Sequence, residues 1–88
     1  MVHVHELSDL RRKGESLHYR REYSATAKVQ YLGEENAALP VSFTIEQNAL
    51  GNKEISVQVA GDLDYPKLPL IRAIREHIRE LDGERKLP

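Results

Sequence analysis

Alternating apolar and polar positions run through the middle of the chain and predict β-strands. Over residues 17–31 the odd positions are apolar or aromatic, apart from Arg21, and the even positions are polar. A period of two is typical of a strand with one buried and one solvated face. The same alternation predicts strands over residues 40–47 and 54–60, and the Gly51-Asn52 pair between them predicts a hairpin turn.

One pairing register would bring the large apolar residues of these three strands onto a single face. If the two turns centre near Asn36 and Leu50, three cross-strand rows result. The rows are Val29, Phe43 and Val57; Ala27, Ile45 and Ile55; and Tyr31, Val41 and Val59. Because a slip of one residue would turn every one of these side chains to the solvent, we expect this register to be strongly specified.

A different period follows near the C-terminal end and predicts a helix over residues 67–82. Apolar residues recur there at helical spacing and form one stripe about 100° wide. The stripe consists of Leu70, Ile71, Ile74, Ile78 and Leu81. Pro69 suits a first helical turn and Gly83 suits the end. We therefore expect the helix to cover one face of the sheet, with residues 84–88 as a loose tail.

The N-terminal residues 1–15 fit two structures. VHVHEL alternates like a strand, whereas SDLRRK suits a short helix capped by Ser8. In the predicted register, Leu17, Tyr19 and Tyr23 extend past the hairpin, so this strand edge needs a partner. Either VHVHEL or a second copy of the chain, in a homodimer, could pair there.

These elements predict one α+β domain over residues 1–88. A three-stranded antiparallel meander forms one layer of a two-layer sandwich, and the C-terminal helix covers one face of it. A fourth strand from the N-terminus stays open as an alternative. Helix on sheet is the arrangement that buries both apolar faces.

Composition narrows the class of protein. Hydrophobic residues make up 40% and charged residues 31% of the 88 residues, as in a soluble globular protein. The chain has no cysteine, which removes disulfides and thiolate chemistry and fits a reducing compartment. Since no apolar run suits a secretory signal or a membrane span, we expect a cytoplasmic protein without a membrane partner.

The sequence contains no pattern of residues typical of an enzyme. Its carboxylate pairs lie side by side in a predicted loop or along a solvated helix face, whereas acid and base catalysis needs two carboxyls that converge across a cleft. No serine stands in a nucleophile-elbow pattern, and the five glycines form no phosphate-binding loop. We expect neither catalysis nor a cofactor.

A basic stretch is the strongest candidate for binding a nucleic acid or an acidic partner. It consists of Arg11, Arg12, Lys13, Arg20 and Arg21. With an N-terminal helix, the element order would resemble that of double-stranded RNA-binding domains. The lysine cluster that this family carries at the start of its last helix is replaced here by Asp62, Asp64, Pro66 and Pro69. The net charge of −1 also gives no global attraction to nucleic acid.

His3 and His5 are a second candidate site, because two histidines two residues apart lie on the same face of a strand. A metal site needs at least one more ligand, and no spacing in the chain enforces convergence of a third. A surface strand explains both residues.

By elimination, the sequence predicts a small cytoplasmic non-enzymatic protein that binds another protein or a second copy of itself. It would use the polar face of the sheet or the edge at Leu17, Tyr19 and Tyr23. A nucleic-acid-binding module is the first alternative, and a metal site at His3 and His5 is the second.

Overall fold

A computed structural model describes residues 2–17, 19–31, 37–60 and 67–88 of the chain. It contains one four-stranded antiparallel sheet and one C-terminal helix. The elements are β1 (Val2–Leu17), β2 (Arg20–Tyr31), β3 (Ala37–Gln47), β4 (Lys53–Val59) and α1 (Lys67–Gly83). The strands lie in the sheet in the order of the chain, and α1 approaches the two edge strands, β1 and β4, most closely. The predicted α+β class is confirmed, with the N-terminal segment as a fourth strand.

The prediction of a short N-terminal helix is wrong, because this segment pairs with β2 along its whole length. The pairing runs from Val2 opposite Tyr31 to Leu17 opposite Arg20. Ser8 does not cap a helix; its hydroxyl donates to the carbonyl of Thr26 at 3.4 Å. Tertiary pairing thus overrides a local capping signal, and a strand stands where a double-stranded RNA-binding domain has its first helix.

The predicted single strand over residues 17–31 is also wrong at its start, because the chain reverses between Leu17 and Arg20. The alternation hides this turn, since it continues with the same parity on both sides. As a result β2 has a neighbour on each side, β1 and β3. The unpaired overhang expected at residues 17–23 does not exist.

The register between β3 and β4 is as predicted. Val41 lies opposite Val59, and Phe43 lies opposite Val57. The hairpin that joins these strands is confirmed, with Gly51 at a φ of +87°, where glycine is favoured.

The predicted register between β2 and β3 is wrong by six residues. Phe43 lies opposite Tyr23 instead of Val29, and Val29 lies opposite Ala37. The error came from placing Pro40 in a loop, because proline is rare in a central strand. Pro40 is accommodated because β4 ends at Val59, so position 40 lies just beyond the last paired residues of β4. Since six is an even number, the same side chains still face the core.

The core lies between the inner face of the sheet and the apolar stripe of α1. Tyr23 and Phe43 stack at its centre, with ring centroids 4.9 Å apart and planes 17° apart. Three helix residues are fully buried above the sheet: Leu70, Ile74 and Ile78. Among the described residues, no helix has the length and apolarity to cross a membrane.

Three charged side chains join the C-terminal end of α1 to the sheet. The Asp82 carboxylate accepts from Arg21 at 2.9 Å and from Lys53 at 2.7 Å. An acidic residue near a helix C-terminus is disfavoured by the helix dipole, so the two cations offset that cost. Partial burial raises the pKa of Asp82, but the hydrogen bonds and charges of Lys53 and Arg21 outweigh it and lower the pKa overall. Arg21, the exception in the apolar alternation, thus pairs with an acid of its own chain.

Residues 84–88 are docked against the core, so the prediction of a loose tail is wrong. The buried Tyr23 hydroxyl donates to the carbonyl of Pro88 at 2.9 Å and accepts from Arg21 at 3.2 Å. Leu87 packs against the core, and the amide of Lys86 donates to the carbonyl of Leu81. A buried tyrosine hydroxyl needs a hydrogen-bond partner, and the tail supplies one.

We expect Asp82→Asn to lower the free energy of unfolding near neutral pH by about 1–2 kcal/mol, because it weakens two charge-assisted hydrogen bonds. A lowered folded-state pKa contributes stability above the unfolded value, and this contribution is lost as the pH falls through the folded value. Urea denaturation should therefore show a gap between wild type and variant that closes below the ordinary aspartate pKa of about 3.9. Glu84→Gln, which removes a fully exposed pair with Lys86, is the control and should leave the urea midpoint nearly unchanged. A gap independent of pH would contradict this account of Asp82.

We expect Tyr23→Phe to lower the free energy of unfolding by about 1 kcal/mol, because it removes the hydroxyl that joins the tail and Arg21. Tyr19→Phe is the matched control, since Tyr19 is 57% exposed. Urea denaturation of both variants checks the prediction. Equal effects of the two substitutions would show that the hydrogen bond to Pro88 does not stabilise the fold.

Candidate functional site

The face of the sheet opposite α1, called the open face, is polar and lined by short side chains in its middle. Residues directly opposite one another on neighbouring strands share a face. The registers therefore define two rows that cross all four strands on the open face. One row is Lys13, Glu22, Thr44 and Ser56, and the other is Arg11, Ser24, Ser42 and Gln58.

Two shallow concavities lie along these rows. The first has a volume of about 250 Å³ and the second about 380 Å³. Lys13, Ser42 and Gln58 line both, so the two form one continuous depression, which we call the open-face groove. The physical cause is side-chain length, because serine and threonine in the middle of the face are flanked by longer charged residues.

Most charges near the groove are paired on the surface. Arg20 contacts Glu22 at 3.0 Å and Glu46 at 3.4 Å. Lys28 contacts Glu6 at 2.8 Å, and the hydrogen bond and charge of Lys28 lower the pKa of that carboxyl. Such exposed pairs stabilise the fold little, but they leave these side chains mutually neutralised. Lys13 makes no ion pair with any described residue.

The basic stretch predicted from the sequence is not one patch. Arg11, Lys13 and Arg20 lie on the open face, as their strand partners require. Arg12 lies opposite Tyr23 and so belongs to the other face, and Arg21 is held by Asp82. The three cations that remain together are interleaved with carboxylates, which does not favour a polyanion.

The two N-terminal histidines are exposed near the start of the edge strand β1. The rings of His3 and His5 meet edge to face with centroids 4.6 Å apart. Over the described parts of the chain, no group of three histidine or carboxylate side chains is placed to hold a metal ion. The pair therefore gains no third ligand from the described residues.

The three residues of the predicted self-association edge are separated. Tyr23 is buried against Phe43, Tyr19 is exposed at the turn, and Leu17 pairs with Arg20. The actual outer edge on this side is β1, and its pairing with β2 shows three register irregularities. Asp9 and Gly14 adopt positive φ angles of 51° and 58° along this strand. Bulges of this kind discourage pairing with another strand.

The sequence predicted a polar sheet face but did not identify the groove within it. The available signal was the run of short polar residues at alternate positions, namely Ser24, Ser42, Thr44 and Ser56. Because the β2–β3 register was predicted wrongly, these residues could not be assembled into rows. The position of Lys13 beside them required the pairing of β1, which the sequence left open.

We expect Ser42→Trp to fill the groove and change the free energy of unfolding by less than about 1 kcal/mol, because aromatic residues are well tolerated on exposed strand faces. Phe43→Ala, one residue along the same strand, should cost about 3–5 kcal/mol because it empties the core. Urea denaturation of the two variants checks the difference. A large loss in Ser42→Trp would mean that position 42 does not face the groove.

Comparison with known proteins places the chain in one family. Residues 1–83 match the model of a protein family whose name is a code of letters and digits, and the chain belongs to that family. The name states no activity, ligand or partner. No curated protein and no solved structure matches the chain.

Proposed function

We propose that this member of the family is a non-enzymatic cytoplasmic module that binds another protein through the open-face groove. The observation that carries the proposal is the continuous depression of about 250 Å³ and 380 Å³ on the face that the helix leaves uncovered. A floor of hydroxyls and an amide offers donors and acceptors to a partner, and polar groups of this kind contribute specificity at protein interfaces.

The condition of the other surfaces supports the choice of the open face. The β1 edge is bulged, and β4 has only seven residues, which are both features that protect a sheet edge from pairing. The carboxylates near the groove are exposed and paired with arginine or lysine. Exposed, paired carboxylates fit binding better than proton transfer, which needs a carboxyl with a tuned pKa. The absence of cysteine fits a reducing compartment.

Site-specific photo-crosslinking in the cells that make the protein tests the proposal. A photoreactive phenylalanine analogue replaces Ser42 in the groove, and the same analogue replaces Arg72 on the exposed surface of α1 as the matched control. We expect a discrete adduct from position 42 and none of the same mass from position 72, because only the groove faces the partner. Mass spectrometry then identifies the adduct.

Two other results have defined meanings. An adduct of twice the chain mass, together with a concentration-dependent dimer in light scattering that Ser42→Trp abolishes, would identify the partner as a second copy. No adduct from position 42, or identical adducts from both positions, would contradict the proposal.

A further inference from the structure

The second concavity of the open-face groove combines one cation with an apolar wall. Its volume of about 380 Å³ lies within the range of roughly 300–1,000 Å³ that is usual for ligand pockets. Its lining residues are Lys13, Ser24, Ala25, Pro40, Val41, Ser42, Gln58, Val59 and Ala60. It is therefore more apolar than the first concavity, which is lined by Arg20 and Glu22 in addition to Lys13.

Lys13 is the only charged residue among the described ones that line this concavity. Its direct partner across the strands is Glu22, but that carboxylate is engaged by Arg20 at 3.0 Å. The charge of Lys13 is thus left without an ion pair from the described residues. A cation beside a neutral, partly apolar wall attracts an anion more effectively than one surrounded by carboxylates.

The apolar wall lies where the pairing of β3 with β4 ends. Val59 is half-buried, and Pro40 and Ala60 are exposed there. Ala60 donates its amide to the carbonyl of Pro40 at 3.1 Å, so this part of the backbone is already satisfied. What remains available at this wall is apolar surface, which an apolar side chain can cover.

We propose that the partner presents a carboxylate to Lys13 and an adjacent apolar side chain to the wall of Pro40, Val59 and Ala60. The hydroxyls of Ser24 and Ser42 and the amide of Gln58 would donate to the carboxylate oxygens. A single lysine suits the one charge of an aspartate or glutamate, whereas a phosphate group carries nearly two charges and is usually met by several cations or an arginine fork. This proposal rests on the proposed function and names the chemistry of the partner segment.

The test is selection of short random peptides by display against the whole protein at low ionic strength. We expect enrichment of peptides in which aspartate or glutamate stands next to an apolar residue. Lys13→Glu should weaken the binding of these peptides by about tenfold or more, because attraction becomes repulsion. Lys86→Glu makes the same change in net charge at an exposed pair in the tail and should leave the binding unchanged. Selection against Lys13→Glu itself should enrich lysine or arginine instead.

The outcomes separate this inference from the function on which it rests. Enriched peptides without an acidic residue, whose binding Ser42→Trp blocks, would overturn the inference and leave the groove as a binding site. Peptides that bind equally to wild type, Lys13→Glu and Ser42→Trp would overturn both. If no peptide is enriched, the inference is overturned, and the crosslink from position 42 still decides the proposed function.

Discussion

The structure depends on the contact between one amphipathic helix and one face of a four-stranded sheet. The stripe of Leu70, Ile74 and Ile78 is wide enough to cover the inner face, where Tyr23 and Phe43 stack. A single helix cannot cover both faces of a sheet, so the outer face must be polar for the chain to remain in water. The division into a covered face and an open face therefore follows from having one helix, and every candidate binding residue follows from that division.

The end of the helix is attached at one corner of the sheet, where polar groups meet at the boundary of the core. Asp82 joins α1 to Arg21 of β2 and Lys53 of β4, and its exposed side-chain fraction is only 11%. Tyr23 extends the same cluster to Pro88, so helix, sheet and tail share one set of hydrogen bonds. Such polar contacts are directional, whereas apolar contacts are not. They can therefore hold the helix in one orientation over a core that would tolerate several.

On the open face, side-chain length and charge pairing act together. Short residues at Ser24, Ser42 and Thr44 leave a depression, and Arg20 neutralises the carboxylates beside it. Lys13 then stands out, although it belongs to a run of three basic residues in the sequence. Neither of its basic neighbours lines either concavity, because the alternation of the strand turns Arg12 to the other face and the register places Arg11 one row away. Strand geometry thus separates cations that are adjacent in the chain.

The sequence by itself determined which residues face the core and where the helix lies, because both depend only on local periodicity. Parity is preserved when a register shifts by an even number, so the apolar side of β2 was predicted correctly although Val29 was paired with the wrong residue. Only the tertiary structure decided which strands are neighbours, since pairing depends on contacts far apart in the chain. It turned the N-terminal segment into β1, placed Pro40 inside β3, and brought Arg21 to Asp82 across 61 positions of sequence. The open-face groove belongs to this second kind, because its rows exist only once all four strands are in register.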